Sequence, residues 1–431
     1  MTFTIFLHLI WHTLLGFIFY YPLFMSTFWI IGAIFFYYKN ERPYAKYTIP
    51  SLRPNESWPP VSILIPCYNE GQNAIETISY ALNVDYPEFE VIAINDGSKD
   101  DTLEILVDLA KENPRLKVVN LAQNQGKALG LQAGALLAKH EYLICIDGDA
   151  LIDKHCVYWM VKHFIRYPAV AAVTGNPRIR NRTTLLGKIQ VGEFSSIVGM
   201  IKRAQRSFGR IFTVSGVITG FRKAAVHEVG YWSPDVLTED IDISWKLQSK
   251  GWDVRFEPRS LVWILMPETL SGLWKQRLRW AMGGVQVMFK NANVLFRPKQ
   301  THLWGLMVEL MLSTLWAYSM VLVFLVWFIS LFTSINYLMP HNSPILPDET
   351  SIILIGACLI QFAVSKWLDG RYDQGLGKNY FWMIWYPFVY WLLNLFTAVT
   401  ALPKVIFGKK GRARWISPDR GAHQKPIDKL T

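Results

Sequence analysis

Val61-Ser-Ile-Leu-Ile65, Glu90-Val-Ile-Ala-Ile-Asn95, Lys117-Val-Val-Asn120 and Tyr142-Leu-Ile-Cys-Ile146 are four short, strongly apolar runs rich in β-branched residues. Helix-like stretches over residues 72–82, 102–112 and 127–139 separate them. This alternation predicts an α/β layer on a mainly parallel sheet. In such sheets ligands bind beyond the carboxyl ends of the strands. The second run leads straight into Asp96-Gly97-Ser98, and the fourth into Asp147-Gly148-Asp149. Both acidic words therefore fall where a nucleotide site belongs.

Outside this core, the chain changes character. Its 431 residues suffice for two to three domains at about 100–200 residues each. It is 51% hydrophobic and 14% aromatic, a composition that suits membrane-interface belts and also large soluble cores. The formal charge of +11 fits nucleic acid, anionic lipid headgroups or a phosphorylated small molecule. No basic low-complexity tail or zinc-finger pattern supports a nucleic-acid partner, and the hydrophobic blocks favour the other two. Cys67, Cys145, Cys156 and Cys358 show no Cys-x-x-Cys spacing and no clustered histidines, which argues against a disulfide framework or a zinc site.

Residues 1–38 are almost uncharged and broken by Pro22. A span takes about 20 apolar residues, so the block predicts two short membrane helices. Lys39, Arg42, Lys46 and Arg53 follow, and the positive-inside rule assigns that flank to the cytoplasm. Residues 39–60, with Pro54, Pro59 and Pro60, read as a linker, 61–265 as a cytoplasmic α/β domain, and 266–300 as amphipathic interface helices. Residues 301–405 predict about three further spans, over 303–332, 352–367 and 380–402, the last interrupted by Pro387. The segment from Pro340 to Glu349 reads as an extracytoplasmic loop, and 406–431 as a basic tail. This count does not close. Three C-terminal spans put Lys409, Lys410, Arg412 and Arg414 outside, so either one stretch is interfacial or the tail breaks the rule.

Several words carry candidate chemistry. Pro66-Cys-Tyr-Asn69-Glu70 is either a turn with a helix start or part of a nucleotide cradle. Asp96 is either an Asx-turn residue or a ligand. Lys127, in Asn124-Gln-Gly126-Lys127, either offsets phosphate charge or is a solvated lysine at a helix start. Asp147 and Asp149 pair two carboxylates across a glycine bend, a hard-oxygen site for Mg²⁺ or Mn²⁺. Thr238-Glu239-Asp240 precedes a helix-like stretch without forming a capping box. Gln276, Arg279 and Trp280 lie three to four residues apart, on one edge of a helix. Arg279 has the planar donors suited to phosphate, while an anchoring role at the membrane surface is the alternative. Arg178, Arg180 and Arg182 read as a solvated or partner-facing basic stretch.

In this order, between two hydrophobic blocks, these words resemble the processive family-2 glycosyltransferases, most of all the bacterial poly-β-1,6-N-acetyl-D-glucosamine synthases. The resemblance implies a GT-A domain inserted between N- and C-terminal transmembrane helices. It implies an inverting transfer from UDP-N-acetylglucosamine to a growing biofilm polysaccharide, with export across a bacterial inner membrane. Cellulose-, chitin- or hyaluronan-like synthases, or transfer of one sugar to a lipid carrier, are the alternatives. By the same resemblance, Asn69, Glu70, Asp96, Lys127 and Asp147 bind the nucleotide, and Asp147 and Asp149 hold Mg²⁺ or Mn²⁺. Asp240, with Glu239, is catalytic, Asp240 acting as general base. Gln276, Arg279 and Trp280 meet the diphosphate and the acceptor, and Ser215-Gly216 and Thr219-Gly220-Phe221-Arg222 line the acceptor site. The usual pattern has two aspartates after the second strand; here Asn95 leaves Asp96 as the only carboxylate. The resemblance also implies a small PgaD-like membrane subunit and regulation by cyclic di-GMP. Nothing in the residues themselves selects the sugar or the linkage.

Overall fold

The computed structural model describes residues 3–53, 55–333, 349–386, 390–408 and 411–412. The chain opens on a helix, α1 (Phe3–Phe36). The α/β layer follows as β1 (Val61–Cys67), α2 (Gln72–Leu82), β2 (Phe89–Asp96), α3 (Thr102–Glu112), β3 (Leu116–Leu121), α4 (Lys127–Leu137) and β4 (Tyr142–Ile146). Each of these elements was legible to within two residues at either end. The alternation then breaks: β5 (Leu151–Ile152), α5 (Cys156–Arg166), β6 (Val170–Ile179), α6 (Leu185–Phe194), α7 (Ile201–Ser207), β7 (Ile218–Arg222), α8 (Lys223–Glu228), α9 (Glu239–Ser249) and β8 (Asp253–Ile264). A π-helical stretch, Ser195–Met200, joins α6 to α7. The strands form one sheet in the order β3-β2-β1-β4-β7-β6-β8-β5. β1 to β4 are parallel, whereas β7 runs antiparallel to both β4 and β6. Strand order reverses at β1, between β2 and β4, and this switch point opens the ligand crevice.

Every residue of β1 and β2 is buried. Ile63, Ile65, Val91 and Ala93 face one apolar layer, and Leu64, Ile92 and Ile94 the other. A strand covered on both faces reads as a continuous apolar run rather than an alternating one, which is why these runs stand out in the sequence.

The C-terminal part consists of α10 (Leu270–Lys290), α11 (Trp304–Ser330), α12 (Glu349–Asp369), a 3-10 stretch Leu376–Trp385 and α13 (Trp391–Phe407). Among the described residues, three helical segments are long and apolar enough to cross a membrane: Ile5–Tyr44, Pro298–Ser330 and Glu349–Asp369. Their large apolar side chains, among them Ile5, Leu9, Phe24, Leu322, Leu325, Ile353 and Ile360, are exposed.

One feature of the membrane reading needs correction. The N-terminal block is one helix of 34 residues, not two. Pro22 removes the N–H that Ile18 O would accept, and Trp316 Nε1 of α11 donates to that carbonyl at 3.0 Å. A neighbouring helix can repair a proline this way. The excess length is used below the bilayer. At a rise of ~1.5 Å per residue, α1 is about 51 Å long, and its lower end packs on α7, where Ser207 Oγ donates to Gly32 O at 2.8 Å. In the third C-terminal stretch, expected over 380–402, the structure describes a 3-10 stretch to Trp385 and the 17 residues of α13, with 387–389 outside the described residues. Just beyond α13, Arg412 Nη1 donates to Gln125 Oε1 of the α/β domain at 3.1 Å. Arg412 therefore lies beside that domain. The expected loop from Pro340 to Glu349 and Pro387 fall, apart from Glu349, outside the described residues, as do Lys409, Lys410 and Arg414.

A buried charge network joins the membrane helices to the sheet. Arg203 of α7 pairs with Glu41, just past α1, at 2.6 Å and with Asp369, at the end of α12, at 2.7 Å. Arg178 of β6 reaches the same Asp369 at 2.6 Å. Ser195 Oγ and Tyr372 Oη donate to Asp369 and Glu41, each at 2.6 Å. Arg182 pairs with Asp373 and Arg180 with Glu76. The expected solvated basic stretch is thus a set of structural ion pairs, and Arg178 is 2% exposed.

Candidate active site

The site lies beyond the carboxyl ends of β1, β2 and β4, closed by the start of α9 and one side of α10. Asn69 and Glu70 sit in the turn after β1. Asn69 adopts a left-handed φ of 53°, a conformation asparagine tolerates. It accepts from Lys99 N at 2.8 Å, and its own N–H donates to Ser98 Oγ at 3.0 Å, tying the β1 and β2 loops together. Glu70 is buried against Gly148. A Cβ at Gly148 would lie 3.0 Å from Glu70 Cγ and 2.9 Å from Pro66 O, so only glycine allows the Asp147–Asp149 bend to pass.

Asp96 does not present an open carboxylate. It is 0% exposed, and both oxygens are taken, accepting from Gln125 N and Gly126 N at 2.8 Å each. It shapes the loop that carries Lys127, and its expected role toward the nucleotide would have to use the lone pairs that these two amides leave. Asn95, the departure from the two-aspartate pattern, accepts from Ser98 N and donates to Asn120 Oδ1 at 2.8 Å.

Lys127 lies at the centre of the site. Its Nζ is 2.6 Å from Asp147 Oδ1, 3.2 Å from Glu239 Oε1 and 2.9 Å from Gly216 O. Burial opposes its charge, yet Asp147 and Glu239 hold the ammonium well above the usual lysine range. It is therefore neither solvated nor directed at phosphate alone, because it ties β4, the Ser215-Gly216 loop and α9 together. Asp240 meets the same loop, and both it and Lys127 lie close to Gly216. Gly216 N donates to Asp240 Oδ2 at 3.2 Å and Ile241 N to Oδ1 at 3.0 Å. Burial and then the adjacent Glu239 charge raise the Asp240 carboxyl above its ordinary value, against Lys127 and Arg279. Glu239 is lowered despite burial, because Lys127 and Arg279 outweigh it.

For the divalent metal the residues fit. Asp147 gives Oδ1 to Lys127, and Asp147 Oδ2 and Asp149, two residues on at the same strand end, are the oxygens that would hold the ion. No group of three metal-binding side chains occurs among the described residues. Mg²⁺ commonly uses one or two carboxylates and completes its shell with substrate phosphate and water.

The α10 helix is fastened to the Thr238-Glu239-Asp240 turn. Arg279 Nη1 donates to Leu237 O at 3.2 Å, and Gln286 Oε1 accepts from Leu237 N at 2.8 Å. Lys290 pairs with Asp242 at 2.9 Å. A Cβ at Gly283 would lie 2.0 Å from Thr238 Oγ1. These locking residues were missed in the sequence, although Gly283-Gly284 inside a helix, where glycine is unfavourable, was a signal of close approach. Trp280 packs against Phe194, with ring centroids 6.2 Å apart, and the Arg277 guanidinium lies 4.4 Å from its ring. Arg277 itself is buried on Glu193 at 2.6 Å. Gln276 Oε1 is buried without a hydrogen-bond partner among the described residues.

Comparison with known proteins agrees with this geometry. Residues 59–283 match the family described as glycosyltransferase like family 2. A poly-beta-1,6-N-acetyl-D-glucosamine synthase from Staphylococcus epidermidis is 40% identical over 411 residues, covering 95% of this chain and 99% of its own. The enzyme of the same name from Staphylococcus aureus strain COL is 41% identical over the same length. Among solved structures, a mannosyltransferase from Pyrobaculum calidifontis, in complex with GDP-Man and Mn²⁺, superposes with a TM-score of 0.57 at 18% identity. It covers 90% of this chain and 99% of its own, and supports the GT-A fold. The chain belongs to glycosyltransferase family 2, in the group of the poly-β-1,6-N-acetyl-D-glucosamine synthases.

Proposed function

We propose that this glycosyltransferase polymerises N-acetylglucosamine from UDP-N-acetylglucosamine into poly-β-1,6-N-acetylglucosamine at the cytoplasmic face of a bacterial inner membrane, and passes the product across. The observation that carries the reading is similarity along 95% of the chain, membrane helices included, to synthases of that polymer. The α/β domain and Arg412 lie on one side. With α1, α11 and α12 as the crossings, the basic flanks after α1 and after α13 both face the cytoplasm, as the positive-inside rule asks.

The chemistry follows from the carboxylate positions. Asp240 takes the proton of the acceptor hydroxyl. The freed oxygen attacks the anomeric carbon, the bond from that carbon to the diphosphate breaks, and its electron pair leaves with UDP. One displacement inverts the α-linked donor to a β-linkage and needs no enzyme nucleophile. A carboxyl raised above its ordinary value is a stronger base than a solvated aspartate, provided it is ionised at the working pH. When bound, the divalent ion at Asp147 and Asp149 neutralises charge on the departing diphosphate. Lys127 sets the spacing of Asp147 and Glu239, and Arg279 presents its guanidinium at the mouth of the site. The orphaned Gln276 Oε1 is an acceptor that a sugar hydroxyl would satisfy. A PgaD-like subunit and cyclic di-GMP remain part of the proposal on family grounds alone.

The test is product analysis. The full chain in lipid nanodiscs with UDP-N-acetylglucosamine and Mg²⁺ is expected to yield high-molecular-weight material that a β-1,6-specific hexosaminidase digests and a chitinase does not. A single-sugar lipid, or a chitinase-sensitive polymer, would refute the reading.

A further inference from the structure

We propose that Lys202 is a hydrogen-bond donor in the acceptor subsite, directed at an oxygen of the terminal sugar of the growing chain. The inference rests on the polymerase reading above. Lys202 lies on α7, immediately after the π-helical stretch Ser195–Met200, a rare helix form found often at functional sites. It is 5% exposed, and lysines are almost never buried unless paired. No carboxylate lies within ion-pair distance of it among the described residues.

An ammonium has three donors, and the one acceptor that Lys202 meets among the described residues is Thr174 Oγ1 at 3.4 Å, a long contact. That hydroxyl also accepts from Ser215 N at 2.7 Å. The next residue, Gly216, donates its N–H to Asp240 Oδ2 at 3.2 Å and its carbonyl accepts from Lys127 at 2.9 Å. Lys202 is thus linked through Thr174 of β6 to Ser215, and the general base is held by the next residue, Gly216, with donor capacity on Lys202 that the described residues do not use. Burial pushes its ammonium down to about 7, with Asp240 the charge that opposes the fall.

The ligand class follows from this placement. The donor nucleotide belongs to the Asp147, Asp149 and Lys127 side of the site. On the Asp240 side sits the sugar that surrenders its hydroxyl proton. That sugar is uncharged and rich in acceptors, with hydroxyl, ring and acetamido carbonyl oxygens. A partly desolvated ammonium gives such oxygens strong hydrogen bonds without competing for the diphosphate.

The experiment compares the parent chain, Lys202→Met and Lys202→Arg in nanodiscs, with UDP-N-acetylglucosamine and a β-1,6-linked N-acetylglucosamine trisaccharide as acceptor. In Lys202→Met the acceptor KM is expected to rise about tenfold or more, as for a lost charged hydrogen bond. The donor KM should move less than about twofold, and Lys202→Arg should restore most of the acceptor affinity. An unchanged acceptor KM in Lys202→Met overturns the proposal. So does a parallel rise of both KM values in both variants, which marks a packing role. If the parent itself makes no polymer, the reaction assignment fails first, and this subsite fails with it.

Discussion

Two buried charge clusters in this molecule are built on opposite plans. At the membrane junction, Arg203 and Arg178 are matched by Glu41 and Asp369, with Ser195 and Tyr372 filling further acceptor positions. At the strand ends, the carboxylates Asp147, Glu239 and Asp240 are met by Lys127 and Arg279, with Lys202 on the Asp240 side. The first cluster is balanced and sealed, and the second faces a crevice. A sealed cluster joins elements, since every charge has its partner. An open cluster leaves room for a cation and a substrate, and in it burial and Glu239 raise Asp240 while Lys127 and Arg279 hold Glu239 down. The contrast separates structural from chemical charges better than motif membership does, because Asp96, a motif residue, behaves like the sealed kind.

Breaking each plan should have different consequences. The largest effect is expected from removing the counter-cation of the open cluster: exhaustive EDTA should reduce UDP release to background, and Mg²⁺ or Mn²⁺ should restore it. Activity that survives chelation would contradict the assignment of Asp147 and Asp149. Next comes the sealed cluster. Arg203→Met strands Glu41 in the interior and leaves Asp369 with Arg178 as its remaining cation, which should cost about 3–5 kcal/mol. It should appear as a lowered thermal midpoint of the detergent-solubilised protein. A variant as stable as the parent would show that the network joins nothing.

The seam between α10 and the catalytic turn should respond less. Gly283→Ala places a methyl 2.0 Å from Thr238 Oγ1, so α10 must move away from Asp240. A displacement of ~1 Å can cost about 10²-fold in turnover, and adding Thr238→Ala should recover part of it. Polymer synthesis unaffected by Gly283→Ala would mean that α10 does not set the position of the base.

How much of this was readable in the sequence depended on the range of the interactions. β1, β2 and β4 were legible as apolar runs with a local signal near the end, Pro66, Gly97 or Gly148, and β3 as the short run Lys117-Val-Val-Asn120 between two helical stretches. The site words were legible because they stand at those ends. The antiparallel half of the sheet was not, since nothing local marks β7 as inserted between β4 and β6. Glu41, Arg203 and Asp369 stand far apart in the chain, and each alone looks like a solvated charge. The clamp made by Asp96 was not legible for the same reason: its partners, the amides of Gln125 and Gly126, stand about thirty residues away. Pro22 looked like a break because its repair comes from Trp316, on another helix.

The central claim is that Asp240 performs the proton transfer and does not hold the fold. Asp240→Asn keeps the shape and removes the base. The decisive measurement is polymer formation by this variant in nanodiscs, read beside UDP affinity and thermal midpoint in the same preparation. The account predicts synthesis lowered by about 10²–10⁴-fold, with UDP affinity and midpoint close to those of the parent. Near-normal synthesis, or a midpoint that falls as far as that of Arg203→Met, would contradict it.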